Sequence, residues 1–282
     1  MSYSAHQLRD FSYIFSRSNA IRWLKGDFSY FDALLERHNM LKRYKSKSYY
    51  KVLRDTYKVL KTHYPNEYLL KNEFLNKWLI NQLGNCDSKI FSEFRIGNAI
   101  ADLAMFNGSS KAFEIKTILD NDSRLKNQLN QYKKIFNEVY LIIPSECLDK
   151  YIDYDKDVGV ISYDCKLGSF ALIVKATNDI SIDVNVLMQV LRTKEYLWIV
   201  NQHCDVVPSM NAFNQFEISK EIISGIPSEK LNALFLDVIK KRNSTESFLK
   251  NKYKFLNQLS LSLNMDEKEI ETMIMQLETQ TL

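Results

Sequence analysis

Apolar and polar positions along this chain change period twice. Up to about residue 65 the sequence is poor in glycine and rich in helix formers, which predicts a helical N-terminal region. Asn66 to Leu83 continues in a helical pattern, with Pro65 near its start and Gly84 at its end. Beyond Lys89 the pattern becomes that of a sheet. Asn107-Gly108-Ser109-Ser110 is a turn signal between two apolar runs, so Asn98–Phe106 and Lys111–Ile118 are expected as neighbouring antiparallel strands. Asp120-Asn121-Asp122-Ser123 offers several N-caps, and Leu125, Leu129, Ile135 and Phe136 suit an amphipathic helix. Val139–Ile143 then reads as a buried strand. Asp157–Tyr163 and Ser169–Lys175 add two more strands, closing a mixed sheet. Near the end, Ser244–Leu263 and Asp266–Thr279 read as two helices separated by Asn264.

Five of the seven glycines (Gly84, Gly97, Gly108, Gly159 and Gly168) fall within 84–168, where a sheet needs turns. The expected organisation is therefore an α/β core over about 66–180, a helical N-terminal region over 1–65 and a helical C-terminal region over 181–282. Asn178–Asp183 and Pro208–Asn214 are the expected joints.

Composition narrows the class of protein. A 45% hydrophobic content over 282 residues is ample for a core, and no apolar stretch approaches membrane-spanning length. The N-terminus lacks the continuous apolar region of a secretory signal, so a cytoplasmic location is expected. Cys86, Cys147, Cys165 and Cys204 show no CxxC pairing and no zinc-ligand spacing, and are expected as reduced thiols. Charge is uneven. The first 61 residues hold 13 Lys or Arg against five Asp or Glu, a net of +8, while the whole chain carries +4. The excess peaks at Lys42, Arg43, Lys45, Lys47 and Lys51 and continues to Arg54, Lys58 and Lys61, interleaved with tyrosines. Basic side chains neutralise phosphates and tyrosines can stack on bases, which suggests a nucleic-acid path. The alternative is a solvated helix face with its tyrosines in the core.

Candidate chemistry centres on Glu114-Ile115-Lys116, twelve residues after Asp102. Side chains alternate along a strand, so Phe113 and Ile115 can enter a core while Glu114 and Lys116 point the other way. Mg²⁺ takes oxygen ligands, typically one or two carboxylates with waters and phosphate oxygens. Asp102 and Glu114 fit that demand, and Lys116 could orient the attacking water or neutralise charge on a phosphate. An acid two residues from a lysine also arises by chance, as in the helical Asp266-Glu267-Lys268. The order strand, strand, helix, strand around Glu114 sets it apart from that decoy.

With these elements in place the chain resembles the PD-(D/E)XK nuclease superfamily, whose fold is that of restriction endonucleases. Asp102 matches the acid that ends or bends one strand, and Glu114 with Lys116 matches the Glu-x-Lys of the next. Gln128 and Tyr132 stand at the Gln-x-x-x-Tyr spacing of the RecB-like branch, with Arg124 one turn earlier. Ala101 stands where the motif's name implies proline. The resemblance is specific over residues 67–143. More faintly, Leu187…Leu191-Arg192…Glu195 and Leu231…Ile239 look like helical extensions of a little-characterised bacterial branch.

The resemblance implies a metal-dependent nuclease using Mg²⁺ or Mn²⁺. Asp102, Glu114 and the Ile115 carbonyl would be ligands, Lys116 would be catalytic, and Gln128 and Tyr132 would support it, with Arg124 near substrate phosphate. It also implies a helix acid before the first strand. Glu73 is the candidate, with an ion pair to Lys77 as its alternative, and Glu67 is the weaker competitor. Glu93 on the first strand could point into the site or pair with Arg95. Nucleic acid is the expected partner, DNA ahead of RNA, and oligomeric state stays open. Two other readings remain: a binding protein that kept the fold without turnover, and a structural protein whose charged strand face makes salt bridges. His6, His38 and His63 are scattered in sequence and are expected to be non-catalytic.

Overall fold

The computed structural model describes residues 3–82, 88–118, 120–245 and 248–282. Gly84 and Cys86 lie outside them. The chain divides into two compact units, Met1–Asn81 with Cys165–Gly168 and Ser244–Leu282, and Gln82–Asp164 with Ser169–Asn243.

The first unit is helical. Its N-terminal elements are α1 (Ala5–Ile14), α2 (Arg17–Leu24), α3 (Ser29–Arg37), α4 (Leu41–Tyr44), α5 (Tyr49–His63) and α6 (Glu67–Phe74). A π-helical turn over Leu75–Leu79 and the short α7 (Ile80–Gln82) follow. Local chemistry starts several of these helices. Ser4, Ser16, Ser48 and Asn66 are N-caps whose side-chain oxygens accept the backbone N–H three residues on, at 3.0–3.4 Å. Each helix then buries one stripe, as α5 does with Tyr49, Val52, Leu53, Thr56, Tyr57 and Leu60.

In the second unit a six-stranded mixed sheet runs in the order β1 (Lys89–Ile96), β2 (Ala99–Phe106), β3 (Ser110–Ile115), β4 (Glu138–Pro144), β5 (Gly159–Asp164), β6 (Ser169–Val174). The β1–β2, β2–β3 and β5–β6 pairs are antiparallel, and β3–β4 and β4–β5 are parallel. The β2–β3 turn is the one expected: Phe106 pairs with Ser110, and Gly108 adopts φ 94°, a backbone that favours glycine. The crossover from β3 to β4 carries α8 (Leu125–Tyr132), and α9 (Leu148–Tyr151) lies between β4 and β5. After β6 come α10 (Val184–Val190), α11 (Thr193–His203), α12 (Gln215–Ser224) and α13 (Ser228–Lys240). Their buried faces join the sheet residues Phe94, Phe106, Ala112, Val139 and Leu141 in one core. The fold is thus mixed α/β with flanking helices and helical extensions, as expected.

The remaining helices are α14 (Asn257–Leu263) and α15 (Glu267–Thr279), both of the first unit. Asn264, in left-handed conformation at φ 53°, separates them at the expected position. Three details differ from expectation. First, the division is not three consecutive parts: residues 181–243 share the sheet's core, while Phe255, Leu259, Ile270, Met273 and Leu277 complete the core of α1–α6. Apolar stripes, rather than chain order, decide these groupings. Second, the helix expected from Ser244 is not helical before Asn251 among the described residues. There Asn257 accepts the Leu249 N–H at 2.7 Å and donates to its carbonyl at 2.9 Å, holding a non-helical backbone. Third, Asp120–Ser123 does not cap α8. Asp120 Oδ2 accepts the Thr117 N–H and Asn121 Oδ1 accepts the Ser123 N–H, so both close turns before the helix, whose N-cap is Arg124.

Cys147 and Cys204 are free thiols. No helix of the described residues is long and apolar enough to cross a membrane.

Candidate active site

Asp102 lies where the alternation of β2 changes. Ala99 and Ala101 belong to the same core cluster as Ala104 and Phe106, so the strand switches its buried face between Ala101 and Ala104. The neighbouring strand bends at the matching step. β1 pairs Ser92 with Leu103 and Phe94 with Ala101, and the unpaired position between them sets Glu93 across from Asp102. Glu93 has φ 55°, left-handed for a non-glycine residue, which costs about 1–2 kcal/mol. On the other side the β2–β3 ladder ends at Leu103–Phe113, so one further step of the register sets Asp102 across from Glu114. Asp102 Oδ2 then accepts the Ile115 N–H at 2.8 Å.

Glu114 is 3% exposed, and both its oxygens are engaged. Lys116 Nζ donates to Oε1 at 3.0 Å, and the Tyr132 hydroxyl lies 2.8 Å from Oε2. Strand β3 ends at Ile115, earlier than the expected Ile118, but the Lys116 N–H still donates to the Ile142 carbonyl at 2.9 Å and holds the lysine in line. The Tyr132 hydroxyl also lies 2.6 Å from the Ile100 carbonyl, and Gln128 Nε2 donates to it at 3.4 Å. One phenolic proton cannot fully serve two acceptors. It is shared between Glu114 Oε2 and the Ile100 carbonyl. Burial and the nearby Asp102 charge raise the Glu114 carboxyl to about 7 despite Lys116 and Tyr132. Burial and Glu114 push the Tyr132 phenol well above its usual value, so it stays a hydrogen-bonding group. Two acids held together against one ammonium are what a divalent cation with oxygen ligands would neutralise.

Of the expected site residues, the structure brings together Asp102, Glu114, Ile115, Lys116, Gln128 and Tyr132. Arg124 is exposed at the N-cap of α8, one turn before the half-buried Gln128. Glu93 is exposed and shares the row of Asp102. Glu73 belongs to the first unit and is engaged within it. Its carboxylate takes Lys77 at 2.8 Å, Lys61 at 2.9 Å and the Tyr57 hydroxyl at 2.9 Å, the ion-pair alternative enlarged by one lysine. Glu67 pairs with Lys71. The Ile100 carbonyl, the second anchor of Tyr132, left no trace in sequence because it is a backbone atom.

The basic segment splits. Lys42, Arg43, Lys45 and Lys47 are exposed, but Lys51 pairs with Asp55 at 2.8 Å and the Arg54 guanidinium lies over the Tyr50 ring at 5.7 Å. The interleaved tyrosines are not a stacking platform. Tyr44, Tyr49, Tyr50 and Tyr57 are buried in the core of the first unit, and Tyr49 stacks on Phe28 at 4.0 Å. The buried stripe of α5 captures Tyr49, Tyr50 and Tyr57, and α4 buries Tyr44.

All the residues gathered around Glu114 lie within the part of the chain that matches a known family. Protein cII of Enterobacteria phage P4 is 30% identical over 138 residues, 46% of this chain and 51% of that protein. The chain therefore spans about half the length of this curated relative. Among solved structures, the SPO1766 protein of unknown function from Silicibacter pomeroyi aligns with a TM-score of 0.33 at 12% identity, over 47% of this chain and 88% of that one. Residues 60–270 match the family described as Bacteriophage P4 protein cII, and the chain belongs to that family.

Proposed function

We propose that this protein is a divalent-metal-dependent nuclease of the PD-(D/E)XK type, hydrolysing phosphodiester bonds in nucleic acid, with DNA ahead of RNA. The observation that carries this reading is the pairing of Asp102 with a buried Glu114 that already holds Lys116 and Tyr132. Mg²⁺ or Mn²⁺, when bound, supplies Lewis-acid polarisation of the phosphate and a more acidic water. Asp102 and Glu114 are the carboxylates that would hold it, with the Ile115 carbonyl as a further oxygen. The Ile115 N–H on Asp102 Oδ2 orients one of these acids, and Tyr132, backed by Gln128, orients the other. Lys116 is placed to position the attacking water and to offset charge on the phosphorane-like transition state. Glu93 is available to the same row of acids, and Arg124 to a neighbouring phosphate. Lys42, Arg43, Lys45 and Lys47 offer salt-dependent, sequence-independent affinity for the backbone. Kinship with a phage protein suits a mobile-element or phage-defence setting in the cytoplasm.

Labelled single- and double-stranded DNA and RNA, incubated with Mg²⁺ or Mn²⁺ and with EDTA, test the reading. The wild-type chain should cut one of them only with metal, and Asp102→Ala should abolish the cut while its circular dichroism stays unchanged. Cleavage retained in Asp102→Ala would overturn the assignment. Calorimetric Mn²⁺ binding with no cleavage of any substrate would favour a binding protein that keeps the fold without turnover.

A further inference from the structure

The three histidines that looked scattered in sequence are not all scattered in space. His6 and Asp10 stand one turn apart on α1, and His38 is the C-cap residue of α3. His38 Nε2 lies 2.9 Å from Asp10 Oδ2, and His6 Nδ1 lies 3.7 Å from the same oxygen. The donor atoms of all three fall within 4.8 Å of one another, and they are the one such group of three found among the described residues. The Phe11 ring packs edge-on to His38 at 6.0 Å, which fixes the imidazole plane. Asp10 and His38 side chains are 16% and 12% exposed, while His6 is 69% exposed. The arrangement has two firm ligands and one at the mouth.

We propose that His6 Nδ1, Asp10 Oδ2 and His38 Nε2 form a binding site for a borderline divalent cation of the Zn²⁺ class, tying α1 to the end of α3. Zinc–ligand bonds of about 2.0–2.1 Å in a tetrahedron place ligand atoms about 3.3 Å apart. The separations of 2.9 and 3.7 Å at Asp10 Oδ2 bracket that spacing. Two imidazoles and one carboxylate leave a fourth position on the solvent side, where the exposed His6 stands. Imidazole donors favour Zn²⁺, Ni²⁺ or Co²⁺ over Mg²⁺, so this site differs in preference from the all-oxygen set around Asp102. The competing cation is Arg37, whose Nη1 lies 3.1 Å from Asp10 Oδ2. Its side chain is 55% exposed, so it can move to water when a metal takes that oxygen.

Calorimetric titration of the full chain with Zn²⁺, in excess Mg²⁺, tests the site. One equivalent should bind in the wild type and equally in Asp102→Ala. His6→Ala, a change at an exposed side chain, should weaken binding by about tenfold or more, and His38→Ala should do so further. Arg37→Gln should strengthen it, because the competitor is gone. Zn²⁺ should also raise the Tm of the wild type and leave that of His38→Ala in place. Binding unchanged in His6→Ala, or lost in Asp102→Ala alone, would overturn the proposal, as would a wild-type chain that takes no Zn²⁺.

Discussion

Glu73 and Glu114 are both buried glutamates, each with a tyrosine hydroxyl and a lysine on its carboxylate, yet their electrostatics run in opposite directions. Around Glu73, burial works to raise the carboxyl, but two ammonium groups, Lys77 and Lys61, outweigh it and hold the group below its usual value. Around Glu114, one lysine faces burial together with a second acid, Asp102, and the group rises to about 7. The first cluster has one ammonium more than it has carboxylates and calls for no cation. The second lacks positive charge. Similar side chains thus make a structural ion pair in the helical unit and a candidate cation site in the sheet, and the deciding difference is one lysine exchanged for one aspartate.

The sharpest way to break this contrast is Lys116→Met. Removing the single ammonium from Glu114 should lower metal-dependent cleavage by about 10²–10³-fold, the scale for loss of one preorganised electrostatic group, as read from single-turnover assays on labelled DNA. Stability should then show the two acids' opposite signs. Glu114 has a folded-state value near 7 against an ordinary 4.5, so the native state holds its proton more tightly. Its effect on stability in EDTA is an increasing penalty as pH rises from about 5 to 8, up to about 3 kcal/mol, visible as a falling urea midpoint. Glu114→Gln should flatten that fall, and Mg²⁺ should offset it by favouring the ionised carboxylates. Glu73 contributes with the other sign: its stabilisation is present above the ordinary carboxyl value and is lost as pH falls through its lowered one.

Smaller effects sharpen the comparison further. Glu73→Gln should destabilise the fold by about 1–2 kcal/mol in urea titrations while the folded protein keeps its cleavage rate. The figure is below that of a fully buried pair, because Lys61 and Lys77 are 39% and 33% exposed. Equal loss of cleavage in Glu73→Gln would erase the distinction between the two clusters. Tyr132→Phe should be smallest in stability, about 1 kcal/mol for one hydrogen-bonding hydroxyl. It should raise the Glu114 proton affinity only slightly, read from the same pH series, since burial and Asp102 dominate that shift.

Much of the second unit was legible from local pattern. Alternation and the Asn107-Gly108 turn located β2 and β3, and the continuous apolar run of Val139–Ile143 located β4, because strands and turns are written in periods of two and in residues that tolerate positive φ. The Gln128–Tyr132 spacing was readable because four residues make one helical turn. Less legible was what satisfies each group. Asp120 and Asn121 offered caps, but a turn captured them first. Tyr44, Tyr49, Tyr50 and Tyr57 resembled a basic, base-stacking segment, and the core of the helical unit took them instead. An amphipathic side chain does not declare in sequence whether its ring or its hydroxyl decides its place.

By itself the sequence determined the mixed strand-and-helix order, the helical extensions and the neighbourhood of Asp102, Glu114 and Lys116, since these depend on spacings within a few residues of one another. Tertiary structure alone decided which helices share a core, which buried glutamate receives two lysines, and that His6, Asp10 and His38 meet. The physical reason is the same in each case. Burial and charge depend on neighbours brought from distant parts of the chain, and in a low-dielectric interior one such neighbour, Asp102 beside Glu114, reverses the sign of the outcome.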